Sequence, residues 1–188
     1  FKKSLFFGGM VMILGNLLIA IAPKDMFYYG IAFSIIGTGF FKPNVSSMVG
    51  ELYHEDDPRR DAGYGMFYAG INIGGFLGGI LCIYLGKYYS WQLCFLASAI
   101  VMVLGLLTFL FTKNKLGPIG NSPLSHLPKT KRLTKEILVY ALSLLSIPLI
   151  FIMVKNTDYT DYFMYTIGII AVAYFLFEVF KIGELSAQ

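Results

Sequence analysis

Two short runs decide the reading of this chain: GTGFFKPN at residues 37–44 and FYAGIN at residues 67–72. The first sets a lysine and a proline inside an apolar segment. The second sets a tyrosine and an asparagine inside the next apolar segment. Between them lies a charged loop, YHEDDPRRDAG, at residues 53–63. An ionisable residue at membrane depth is costly and marks a functional site unless something else accounts for it.

The surroundings establish that this is membrane depth. Of the 188 residues, 56% are hydrophobic and 14% charged, and the mean hydropathy is +0.67. A soluble domain carries about a quarter charged residues. The apolar residues come in long blocks: 5–22, 26–50 (expected to be broken at Pro43), 62–86 and 91–112. A polar linker follows at 113–135, rich in glycine and proline and expected to be irregular. Apolar arms at 137–154 and 162–180, joined by the polar turn KNTDYTD, then predict a helical hairpin over 136–182 whose first arm is kinked at Pro148. Segments of about 20 apolar residues cross the roughly 30 Å hydrocarbon core as helices. The alternation of barrel strands is absent. The expected fold is an all-α integral membrane protein.

The basic residues orient it. With Lys2 and Lys3 in the cytoplasm, the cytoplasmic segments also hold Arg59, Arg60, Lys113, Lys115, Lys129, Lys131, Arg132, Lys135 and Lys181. The outer loops hold Lys24, Lys87 and Lys155, and Lys42 lies within the membrane. Eleven against three satisfies the positive-inside rule. The net charge of +4 is therefore a topology signal and not a nucleic-acid footprint.

Lys42 lies nine residues before Glu51, which puts it roughly 13 Å into the membrane. It could snorkel to the interface, or it could face a water-filled cavity, bind a carboxylate and exchange a proton. Thr38, Lys42 and Ser46 form one polar stripe at i, i+4, i+8, with Phe33, Phe40 and Val49 left for other faces. Tyr64, Tyr68, Asn72 and Phe76 share a face of the next helix. Asn72 suits a peptide amide and carbonyl, or equally a hydrogen bond to a neighbouring helix. Gly70, Gly74 and Gly78, with Gly75 and Gly79, predict close helix packing. Cys82 and Cys94 are expected to be small core residues. His54 and His126 both lie in loops and form no metal-ligand spacing. No nucleophile–base pair appears, so an enzyme is not expected.

GTGFFKPNVSSMVGELY (37–53) and DPRRDAGYGMFYAGINIGGFLG (57–78), the latter containing the FYxxINxG pattern at 67–74, together resemble the proton-dependent oligopeptide transporter family of the major facilitator superfamily. The resemblance implies that 1–112 are four helices like the third to sixth of the amino-terminal bundle. Residues 113–135 would be a cytoplasmic linker, and 136–182 the extra hairpin that bacterial members carry between two bundles, peripheral and structural. Residues 183–188 would lead into a missing carboxy-terminal bundle. It implies a multi-pass protein of a bacterial inner membrane, importing di- and tripeptides with protons as the coupling ion and no other cofactor. Lys42, Tyr68 and Asn72 would bind substrate, and Lys42 would couple protons. The ExxER motif of the first helix and the second bundle are absent. The chain begins at Phe1 without an initiator methionine or signal peptide and is expected to be an internal piece. The partners implied are short peptides, lipid and the rest of the transporter, with no nucleic acid. Other readings are a same-fold carrier of another small anion or zwitterion, such as nitrate or an amino-acid derivative, and a non-transporting receptor or structural protein. Glu178 and Lys181 are expected to pair at the end of the hairpin.

Overall fold

The computed structural model describes residues 1–21, 26–54, 56–122, 124 and 128–186, with the side chains of 129 and 180–186 excepted. The described residues form helices α1 (Lys2–Ile21), α2 (Phe27–Glu51), α3 (Arg59–Tyr88), α4 (Trp91–Thr112), α5 (Lys129–Leu145), α6 (Ile147–Lys155) and α7 (Thr157–Ser186), with a 3₁₀ turn at Lys113–Leu116. Lys2–Ile21, Arg59–Tyr88, Trp91–Leu116, Thr130–Lys155 and Thr157–Val179 are each long and apolar enough to cross a membrane. At 25 residues α2 is also long enough. Thr38, Lys42, Asn44, Ser46 and Ser47 lower its hydropathy. The helix that departs from the apolar rule is therefore the one carrying the lysine.

Residues 1–148 form one compact unit, organised around α1. Helices α1 and α2 run antiparallel at close range because glycines meet across the interface. A Cβ at Gly8 would lie 2.7 Å from the Gly37 carbonyl oxygen, and one at Gly15 would lie 2.7 Å from that of Gly30. Both pairs are spaced i, i+7, so they recur every two turns on one stripe of each helix. On another side of α1, Gly9 receives Leu106 of α4. Leu5, Met48 and Leu106 form the buried cluster at one end, with Phe6, Phe41, Val45 and Ile119 packed on it.

Pro43 does not break α2, contrary to expectation. Proline's φ is compatible with a helix, and its cost is one lost N–H bond and crowding of the carbonyl four residues back. Here that residue is Gly39. The Asn44 side chain adds a 2.6 Å bond to the Phe40 carbonyl. In lipid the remaining backbone groups have no water to turn to, which favours continuing the helix.

Helix α3 starts at Arg59, where Asp57 accepts hydrogen bonds from the Arg59 backbone N–H and guanidinium. The Arg59 side-chain hydrogen bond holds the Asp57 carboxyl below its ordinary pKa. At its other end α3 turns tightly into α4. Trp91 packs on Gly86, and Ser90 caps α4 by accepting from the Leu93 N–H. The reading of the cysteines as small core residues holds for Cys94, which is buried, but both are also bonded to each other. Cys82 and Cys94, each six residues from Tyr88, meet across this turn as a disulfide with Cα atoms 4.8 Å apart.

The linker folds back beneath α1 and α2. Gly117 and Gly120 adopt positive φ values of +53° and +75°, a region glycine enters without steric cost. That geometry lets the Lys2 N–H donate to the Gly120 carbonyl (2.9 Å), the Gly120 N–H donate to Glu51 Oε2 (2.6 Å), and Lys2 Nζ donate to the Gly117 carbonyl (2.7 Å). Helix α5 begins at Lys129, inside the stretch read as linker, and packs on α1. Tyr140 stacks on Phe7 at 4.4 Å and meets Phe40 at 5.7 Å, while Phe7 meets Phe40 edge-on at 5.1 Å. Helix α5 ends at Ser146, whose hydroxyl donates to the Ser143 carbonyl, and α6 opens with Pro148 in its first turn.

Residues 149–188 form a second unit. Within it the chain between α6 and α7 is reduced to Asn156, and Thr160 Oγ1 donates to the Met153 carbonyl at 2.5 Å. The expected Glu178–Lys181 pair lies outside the described residues, because the Lys181 side chain is not among them.

Candidate functional site

The site begins where α2 and α3 touch. Tyr64 of α3 reaches over Gly50 of α2, and Tyr53 covers Gly63. Counting from Gly50–Tyr64 in opposite chain directions, Lys42 and Asn72 each lie eight residues away, or about 12 Å along their helices. Tyr68 lies about 6 Å along. The lysine and the asparagine thus lie at equal distances along their own helices from that contact.

Lys42 is exposed and makes no hydrogen bond, ion pair or cation–π contact among the described residues. Thr38, one turn away on the same stripe, uses its hydroxyl on the Ser34 carbonyl (2.8 Å). Ser46 completes the stripe on the other side.

On α3, Asn72 Nδ2 donates to the Tyr68 carbonyl at 3.0 Å. The carboxamide is thereby oriented by its own helix, with its oxygen and second N–H left over. Tyr68 is 54% exposed, and its ring stacks on Tyr64 with centroids 6.4 Å apart. The structure therefore brings Tyr68 and Asn72 together directly. It joins Lys42 to neither by a hydrogen bond.

No residue of α3 is buried. The expectation that its glycines pack closely is corrected here. A Cβ at Gly70, Gly74, Gly75, Gly78 or Gly79 would meet nothing within 4 Å. The glycines that let two helix backbones approach closely are those of α1 and α2. Their signal, paired glycines seven residues apart on consecutive spans, was present in the sequence. The site's support also includes Phe40, two residues before Lys42, which α5 braces through Tyr140. No periodicity links Tyr140 to α2, so that contact had no sequence signal.

Among the described residues no group of three His, Cys, Asp or Glu side chains could hold a metal. An unpaired cation, an oriented carboxamide and a phenol on two apolar helices can bind a small molecule carrying an anionic group.

Such polar groups on helices long enough to cross a membrane define a multi-pass membrane protein. Residues 2–147 match the POT family (PTR2), and the chain belongs to that family. It is 43% identical over 122 residues to the uncharacterized transporter YclF of Bacillus subtilis, covering 64% of this chain and 25% of the relative. It is 32% identical over 124 residues to dipeptide and tripeptide permease A of Proteus mirabilis, covering 65% of this chain and 25% of the relative. A crystal structure of a peptide transporter POT in complex with sulfate superposes with a TM-score of 0.70 at 31% identity, covering 93% of this chain and 37% of that one. The chain thus spans about a quarter of the length of these curated relatives. The described residues form an all-helical part of a major-facilitator-type bundle in a multi-pass membrane protein.

Proposed function

We propose that this chain forms the amino-terminal wall of the substrate cavity in a proton-coupled symporter that imports di- and tripeptides by alternating access. The observation that carries this is Lys42, an exposed and unpaired cation in mid-helix, as far along its helix from the α2–α3 contact as Asn72. A lysine at the bilayer centre costs about 2.5–3.5 kcal/mol on insertion scales, so its position argues for a use. A short peptide is a zwitterion with backbone amides. Lys42 would take its carboxylate, and the free edge of Asn72 and the Tyr68 hydroxyl would take the backbone, with no demand on side-chain identity. Lys42 would also exchange the coupling proton with cavity water, balanced by carboxylates in the rest of the transporter. Alternating access needs two bundles around a midplane site, so the activity belongs to the whole protein. The dipeptide and tripeptide permease among its relatives supports this substrate class.

The test is uptake by the complete protein in proteoliposomes, with and without an imposed proton gradient. Dipeptide should accumulate only with the gradient, and Lys42→Ala should abolish that accumulation. A mutant that still concentrates dipeptide normally would remove Lys42 from the coupling. Accumulation of nitrate or an amino-acid derivative in place of dipeptide would assign the fold a different cargo.

A further inference from the structure

A cavity of about 570 Å³ lies at the end of the bundle where α1 begins. Its walls come from the start of α1, Asn44 of α2, the linker and α5. Four cations line it: Lys2, Lys3, Arg132 and Lys135. One carboxylate, Glu136, faces them, bonded to Lys3 Nζ at 2.6 Å and to Arg132 Nε at 3.0 Å. One negative charge against four positive leaves the pocket strongly cationic. Lys2 spends one N–H on the Gly117 carbonyl and keeps its charge. Arg132 uses only Nε on Glu136, so its terminal nitrogens are uncommitted. Lys135 has no ion pair among the described residues.

The remaining wall is different in kind. Leu138 and Val139 of α5 line the same cavity, and Leu138 is 54% exposed on a helix apolar enough to enter the bilayer. Cations above and aliphatic side chains below, at the terminus of a membrane-crossing helix, match an amphiphile with an anionic head. Basic pockets between helices at the membrane surface hold such headgroups.

We propose that this cavity is a binding site for the phosphodiester headgroup of an anionic phospholipid, held by Lys135 and the free edge of Arg132. The recognised chemistry is a phosphate oxyanion, and the apolar wall assigns it to a lipid rather than to free phosphate. A lipid there would bear on the linker and α5, and so on the brace against α2.

The complete transporter, purified and delipidated in a neutral detergent, would be titrated with dihexanoyl phosphatidylglycerol, dihexanoyl phosphatidylcholine and inorganic phosphate. Thermal unfolding is the readout. Phosphatidylglycerol should stabilise saturably, with phosphatidylcholine and phosphate producing little effect. Lys135→Gln, which breaks no ion pair, should weaken the phosphatidylglycerol response about five-fold. Lys113→Gln, a lysine outside the cavity, should leave it unchanged. Equal responses to the two lipids would show that charge is not read and overturn the proposal. A full response to phosphate alone would overturn the lipid assignment. An unaltered response in Lys135→Gln would place the lipid elsewhere.

Discussion

Replacing Gly37 by alanine tests how α2 is held. The new Cβ would sit 2.7 Å from the Gly8 carbonyl oxygen and 2.7 Å from the Met12 backbone nitrogen. An unstrained contact needs at least 3.4 Å, so it is short by about 0.7 Å on two backbone atoms. Backbone cannot rotate away as a side chain can, so the helices must part. Overpacking of this kind costs about 1–3 kcal/mol. Alanine is also a better helix former than glycine by up to about 1 kcal/mol. Steric cost should win, leaving a net loss of about 1–2 kcal/mol, or about a five- to thirty-fold change in the unfolding equilibrium. The loss would be measured by SDS-induced unfolding of the complete protein in mixed micelles. Gly15→Ala, facing the Gly30 carbonyl at 2.7 Å, should behave alike. Gly105→Ala, where a Cβ meets open space, should be neutral or slightly stabilising. If Gly37→Ala and Gly15→Ala match Gly105→Ala, the glycine contacts do not set the α1–α2 distance and this account of the bundle is wrong.

Asn72→Ala should weaken dipeptide binding by about 1–3 kcal/mol if its carboxamide holds the substrate backbone. Competition binding to the complete protein measures this, and unchanged affinity with lowered expression would assign Asn72 to helix packing. The disulfide closes a short loop between residues 12 apart in sequence, so its reduction should destabilise by no more than about 3 kcal/mol. Maleimide labelling of the unreduced, denatured protein should find neither cysteine free; labelling of both would remove the disulfide.

The helical spans were legible because long apolar blocks and helix length are directly coupled in a membrane. Lys42, Tyr68 and Asn72 stood out for the same reason, since each is a polar group where lipid penalises one. The misreadings have a common origin. Pro43, the α3 glycines and the cysteines were each read from the intrinsic tendency of a residue. Their outcomes depend on what a neighbouring helix brings up to them. Among the described residues nothing reaches the α3 glycines between residues 70 and 79, and the turn at Tyr88 folds Cys94 onto Cys82. The docking of α5 through Tyr140 and Glu136 is likewise tertiary. Its sequence showed only an apolar arm after a basic cluster.

The Cys82–Cys94 bond also works as a compass. Disulfides persist in oxidising surroundings and are rare in the cytosol, so the α3–α4 turn belongs on the outer side. The distribution of lysine and arginine places it there on unrelated grounds. Read together with the Tyr64–Gly50 contact, the bond leaves α3 tethered at both extremities: noncovalently to α2 at the inner one, covalently to α4 at the outer. Tyr68 and Asn72 lie between these two anchorages.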